Sequence, residues 1–166
     1  MTNKFNKLNE KIIMYYEVKV KRTCIAEENN AYGTIKESYL VDAVNYTDVE
    51  ASVARYMNSE HSGDDYNIQK ISKSKVDDLI IKVLVDGEEK LETYYKVRCA
   101  YMESVNGHMK KRKLIALVNA GGVEEASSMA LTNYDPEDIL HYEVVKVEKT
   151  SIVGVINNAC DEERES

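Results

Sequence analysis

Tyr15-Tyr16-Glu17-Val18-Lys19-Val20 returns later in the chain as Tyr94-Tyr95-Lys96-Val97-Arg98-Cys99. In the first copy Tyr16, Val18 and Val20 alternate with Tyr15, Glu17, Lys19 and Lys21. That period of two puts one face of a strand in a core and the other in water. Three further blocks keep the same order. Leu40-Val41-Asp42-Ala43 matches Leu117-Val118-Asn119-Ala120, and Glu50-Ala51-Ser52 matches Glu125-Ala126-Ser127. Tyr66-Asn67-Ile68-Gln69-Lys70-Ile71 matches Tyr142-Glu143-Val144-Val145-Lys146-Val147, and this match runs on to Ile80 and Ile156. The offset stays between 75 and 79 residues. Four collinear blocks argue for an internal duplication, which governs the reading of the rest.

Each repeat reads as strand, strand, helix, strand. In the first, Ile35 to Ala43 forms the returning strand after a turn around Asn29-Asn30-Ala31-Tyr32-Gly33. Thr47-Asp48-Val49-Glu50 has the form of a capping box, and Val49, Val53, Tyr56 and Met57 follow at helical spacing. In the second, Asn106-Gly107 marks a tight hairpin, because both central residues must take positive φ. Gly121-Gly122 leads into the second helix, and Asp135-Pro136 resembles a further helix start. Val76–Val85, ending at Asp86-Gly87, is expected to feed an extra strand directly into Thr93–Cys99. The fold class is therefore α+β, two ββαβ repeats in one pseudo-dimer. Residues 1–10 form an N-terminal arm in which Phe5 and Leu8 can dock. Residues 11–80 and 81–156 are the repeats, and 157–166 an acidic tail. A repeat of about 75 residues buries little alone, so the two must pack together. The expected core is Val18, Val20, Leu40, Val53, Ile68, Val97, Leu117, Ala126 and Val144.

The composition excludes several function classes. The chain has 166 residues, 22 Lys and Arg against 29 Asp and Glu, and a formal net charge of −7. That balance argues against a duplex DNA binder. No apolar run approaches the ~20 residues that span a bilayer. The polar opening MTNKFNKLNE has no signal-peptide core, which implies a cytoplasmic protein. Cys24, Cys99 and Cys160 are too widely spaced for a disulfide framework or a metal knuckle.

Catalytic and cofactor motifs are not found in the sequence. It has neither GxxxxGK[ST] nor GxGxxG, and Glu124-Glu125 would repel a phosphate from the helix after Gly121-Gly122. His61, His108 and His141 are scattered over loops and a turn, and His61-Ser62-Gly63-Asp64-Asp65 lacks the ligands of a calcium loop. Neither catalytic nor metal-ligating residues are assigned, no cofactor is expected, and an enzyme is the least supported class.

Twelve tyrosines stand against one phenylalanine and no tryptophan. Tyrosine suits half-buried strands, which explains most of them. On the faces turned away from the helices, however, Tyr15 is followed by Lys19, and Tyr94 by Lys96 and Arg98. Rings can stack on a base while cations meet phosphate. Met109-Lys110-Lys111-Arg112-Lys113 is the one dense basic run. It either protects an edge strand or rims the same anion site. The candidate ligand-binding residues are Tyr15, Lys19, Tyr94, Lys96, Arg98, Lys111 and Arg112.

The Tyr-Tyr-x-Val-Lys/Arg strand openings, the Leu-Val-x-Ala strand ends and the Ile/Val-x-x-Lys third strands together resemble an uncharacterised family. Its members are small proteins of unknown function from gut bacteria and their phages. The resemblance covers about residues 13–156 and implies a phage-type setting in a host cytoplasm. The preferred expectation is a non-enzymatic module that binds a small anionic, nucleotide-like ligand or a protein partner. Sequestration of a host-defence signal, a counter-defence role, would be one such task. The alternatives are a single-stranded nucleic-acid accessory protein and a purely structural or protein-interaction component. A homo-oligomer is compatible with all three.

Overall fold

The structure is a computed structural model that describes residues 14–25, 31–82, 86–87, 93–134 and 142–157. The N-terminal arm, the Asn29-Asn30 turn residues, Asp135-Pro136, His141, Cys160 and all but the first residue of the acidic tail lie outside them. The fold is mixed α+β, with two four-stranded sheets and two helices. In chain order the elements are β1 (Met14–Ile25), β2 (Tyr32–Ala43), α1 (Tyr46–Glu60), β3 (Asp65–Lys73) and β4 (Asp78–Ile80). They continue with β5 (Tyr94–Val105), β6 (His108–Asn119), α2 (Val123–Tyr134), β7 (Glu143–Lys149) and β8 (Ile152–Ile156).

The first sheet has the order β3-β1-β2-β8, and the second β4-β6-β5-β7. The described residues fall into two compact units, those within 14–74 with 155–157, and those within 75–154. The strand after β3 therefore does not join β3's own sheet. β4 lies parallel to β6, with Leu79 beside Leu117, rather than making the expected hairpin with β5. Asp77 fixes this register: its amide donates to the Ile115 carbonyl and its carboxylate accepts from the Ile115 amide, each at 2.8 Å. Tyr134 adds a 2.6 Å bond to the Asp78 carboxylate. Each ββαβ run thus carries a further strand. Three residues of strand have no periodicity by which a sequence can announce their partner.

The strand phase agrees with the alternation. Tyr16, Val18 and Val20 pack with Tyr39, Val41, Val49, Val53 and Met57 under α1. Tyr95, Val97 and Cys99 pack with Ala116, Val118, Ala126 and Ala130 under α2. Seven of the nine expected core residues are fully buried. Ile68 and Val144, on the edge strands β3 and β7, are half-buried against the same clusters.

The two sheets match in detail. Val18 lies between Tyr39 and Ile71, and Val97 between Ala116 and Val147. A bulge falls between Lys19 and Val20 in one and between Arg98 and Cys99 in the other. The helices correct the block alignment. Val49 and Val53 take the buried places that Ala126 and Ala130 take in α2, so the identical Glu-Ala-Ser triplets are not equivalent.

The helix starts differ from the expected box as well. Asn45, not Thr47, caps α1 by accepting from the Asp48 amide at 2.9 Å, and Asp48 accepts from the Val44 amide. At α2 the Glu125 carboxylate accepts from the Gly121 amide in the same way. The hairpin turn at Asn106-Gly107 takes φ of 51° and 80°, as its sequence requires. Among the described residues no helix is long and apolar enough to cross a membrane.

Candidate functional site

A helix covers one face of each sheet; the candidate residues other than Arg112 belong to the other. In the first sheet that face carries Lys19 and Lys21 from β1, Lys36 from β2 and Lys70 from β3. Lys19 stands directly opposite Lys70, and Lys21 directly opposite Lys36. In the second sheet Arg98 stands directly opposite Lys146, and Lys113 and Lys111 lie opposite Ala100 and Met102. Like charges facing each other across a ladder destabilise a sheet. The bulge position puts Lys19↔Lys70 and Arg98↔Lys146 at the same place in both sheets. The feature that folding disfavours occurs twice.

Neutralisation is partial. Glu148 bonds the Lys146 ammonium at 2.6 Å and lies 3.9 Å from the Arg98 guanidinium. The Lys146 hydrogen bond, with the charge behind it, holds that carboxyl below the usual range. Among the described residues no ion pair involves Lys19, Lys36 or Lys70. All three are exposed, as are Arg98, Lys111, Lys113 and Lys146. Toward the hairpin ends the same faces carry bare apolar side chains. Tyr32 is 78% exposed with Ile25 across from it, and Met109 is 62% exposed near Met102.

Toward its other end each face is closed. Leu40 and Leu117 are fully buried although they point away from the helices, and Tyr94 is only 6% exposed. The expected stacking ring at Tyr94 is therefore not accessible, and the Tyr94 hydroxyphenyl group is core. Alternation told which side Tyr94 takes; it could not tell that this side is buried too. Tyr15 is half-buried, and its carbonyl accepts from the Ser74 amide at 2.8 Å. Lys96, opposite Leu117, is half-buried. Arg112 lies opposite Tyr101 on the helix-facing side and pairs with Glu103 at 2.7 Å. Adjacent strand residues point to opposite faces, so Lys111 and Arg112 cannot serve one site. Lys19, Arg98 and Lys111 keep their places on the open face. Lys36, Lys70, Lys113 and Lys146 join them. Cross-strand register, which no single strand encodes, brings in Lys36, Lys70 and Lys146; Lys113 follows Lys111 two residues along β6 and shares its face by alternation.

A second polar cluster lies on the helix-facing side of the first unit. Arg22 donates to Glu37 and, at 2.8 Å, to Asp64, while the Tyr39 hydroxyl donates to Glu37. Burial opposes charge on both partners, but these hydrogen bonds outweigh it, lowering the Glu37 pKa and raising that of Arg22. Burial, then the Glu37 bond, pushes the Tyr39 hydroxyl far up. The sequence reading passed over this cluster. Its signal was Arg22 in the inward phase of Tyr16, Val18 and Val20. The charges there satisfy one another. In the second unit Tyr101, Tyr142 and Tyr134 form a stack, with ring centroids 4.8 and 5.4 Å apart.

Cys99 is 1% exposed, and burial raises its thiol pKa, as befits a core side chain. Among the described residues no group of three or more His, Cys, Asp or Glu could hold a metal ion. A shallow groove lined by Ser52, Arg55, Tyr56, Ser59, Val155, Ile156 and Asn157 runs beside α1.

No curated protein and no solved structure matches the chain. A family model matches residues 14–158, from the first residue of β1 to just beyond β8. The chain therefore belongs to the family described as Domain of unknown function (DUF4494).

Proposed function

We propose that this protein is a non-enzymatic binding module for an anionic ligand, held on the open faces of its sheets. One observation carries the reading: Lys19↔Lys70 and Arg98↔Lys146 set like charges opposite each other at the same register in both sheets. Each pair weakens its own sheet by a few tenths of a kcal/mol to about 1 kcal/mol. A chain of net charge −7 has carboxylates enough to neutralise such positions, yet among the described residues Glu148 alone serves Arg98 and Lys146, and no ion pair involves Lys19 or Lys70. An anion bridging the two cations turns the repulsion into charge-assisted hydrogen bonds.

The matched bulges, buried positions and helix starts support a duplicated ancestor. In that reading the ancestor formed a homodimer by exchanging its last strand, and fusion preserved the exchange as β4 and β8.

Inorganic polyphosphate is a suitable first probe. It should raise the melting temperature of the wild-type protein, and the gain should shrink as salt rises. Lys19→Thr combined with Arg98→Thr should abolish the gain, while the variant without ligand melts at or above the wild-type temperature in low salt. A polyphosphate response undiminished in that variant would refute the reading.

A further inference from the structure

We infer that the anionic ligand is single-stranded nucleic acid, with Tyr32 as its base-stacking platform. This inference rests on the anion-binding reading above and narrows it to a chemical class.

Four observations define the ligand. First, the cations lie in a row on an open surface. Lys70 and Lys19 face each other across β3 and β1, and Lys21 and Lys36 face each other one step nearer the hairpin end. Neighbouring strands are ~4.8 Å apart and alternate residues along a strand ~6.7 Å. The row therefore extends over the length of several repeating charges rather than converging on one. A chain of phosphates fits it better than a single phosphate.

Second, the row leads to an aromatic ring. Tyr32 and Lys36 lie on the same strand and the same face, and Tyr32 is 78% exposed. A ring so bare makes no use of its apolar surface in folding. Every base has a π-face, so such a ring accepts any nucleotide whose base is unpaired. In a duplex those faces are stacked on one another and the ring would find none.

Third, the second sheet has the same succession with different chemistry. Arg98, Lys146, Lys113 and Lys111 lead to Met109, which is 62% exposed, and Met102 lies across from Lys111 on that face. A thioether packs against a base edge or face without selecting its identity. Both faces thus combine cations with a polarizable or aromatic end group.

Fourth, the faces carry few buried donors that could read a base edge. The buried polar residues there are three: Ser38, directly opposite Lys19, and Asp42 and Asn119 toward the closed end. The inference therefore includes little sequence preference and a strong salt dependence.

The test is fluorescence anisotropy with a labelled twenty-nucleotide oligo-dT, the same oligomer annealed to oligo-dA, dTMP as competitor, and inorganic polyphosphate as competitor. The expected result is binding of the single strand with a steep salt slope. The duplex and dTMP should bind at least about tenfold more weakly. Tyr32→Ala should weaken oligo-dT binding by about fivefold or more, Tyr32→Phe should retain it, and polyphosphate affinity should be unchanged in both variants. Tyr32 is exposed, so neither substitution threatens folding. If polyphosphate binds but oligo-dT gains nothing from Tyr32, or duplex or dTMP binds equally well, the nucleic-acid inference is overturned and the anion reading stands. If neither polyphosphate nor oligo-dT binds, both fall together.

Discussion

Glu37 illustrates how a single residue separates folding chemistry from site chemistry. It sits between the Arg22 guanidinium and the Tyr39 hydroxyl, with its side chain 14% exposed. Burial would raise its pKa, but the two hydrogen bonds and the Arg22 charge prevail and hold it below the ordinary 4.5. Stability from that carboxylate is thus complete above the ordinary value and lost as pH falls through the lower folded one. Glu37→Gln should cost about 1.5–3 kcal/mol at neutral pH. The gap to wild type should narrow as the pH drops below about 4. Urea denaturation at the two pH values measures it; a gap that stays constant would show that ionisation of Glu37 does not matter. At Lys19 and Lys70 the direction is opposite, since neutralising either one should not harm the fold. Arg22 was legible as an oddity in an apolar phase. That its charge is satisfied was not, because Glu37 and Asp64 arrive from other strands and loops.

At the scale of elements, short-range patterns were legible and long-range destinations were not. Period-two alternation gave the correct inward face of β1 and β5, and Asn106-Gly107 gave the correct turn. Both depend only on neighbours in sequence. Burial of Leu40 and Leu117 was anticipated, but Tyr94 on the same side was read as wet because alternation treats the second face as uniform. The β4–β6 pairing escaped because a three-residue strand is held by Asp77 and Tyr134 rather than by a pattern of its own. Helix α1 offered two capping residues close together, and Asn45 prevails over Thr47 because its side chain reaches the Asp48 amide. Asn45→Ala should destabilise the protein by about 1 kcal/mol, and Thr47→Ala by no more than a few tenths. Equal losses in thermal or chemical denaturation would restore the Thr47 box.

At the scale of the whole molecule, the boundaries of the two repeats expected from the sequence differ from those of the two compact units. Among the described residues, 155–157 belong with the first unit, and 75–80 belong with the second. Four sequence blocks argue for a repeat; which sheet β4 and β8 join could not be read from them, since the two strands match each other in either sheet. The candidate site had the same fate. Lys19, Arg98 and Lys111 were legible strand by strand, with Lys113 on the Lys111 face by alternation, whereas the partners Lys70 and Lys146 come from register. Each open face is therefore a product of sheet assembly. Backbone amide chemical shifts of the isotopically labelled protein, recorded while oligo-dT is added, test this directly. The account predicts that the shifts concentrate at Lys19, Lys36, Lys70, Arg98, Lys113 and Lys146 and extend to Tyr32 and Met109. Shifts confined to Ser52, Arg55 and Asn157 in the groove beside α1, or no shifts at all, would contradict it.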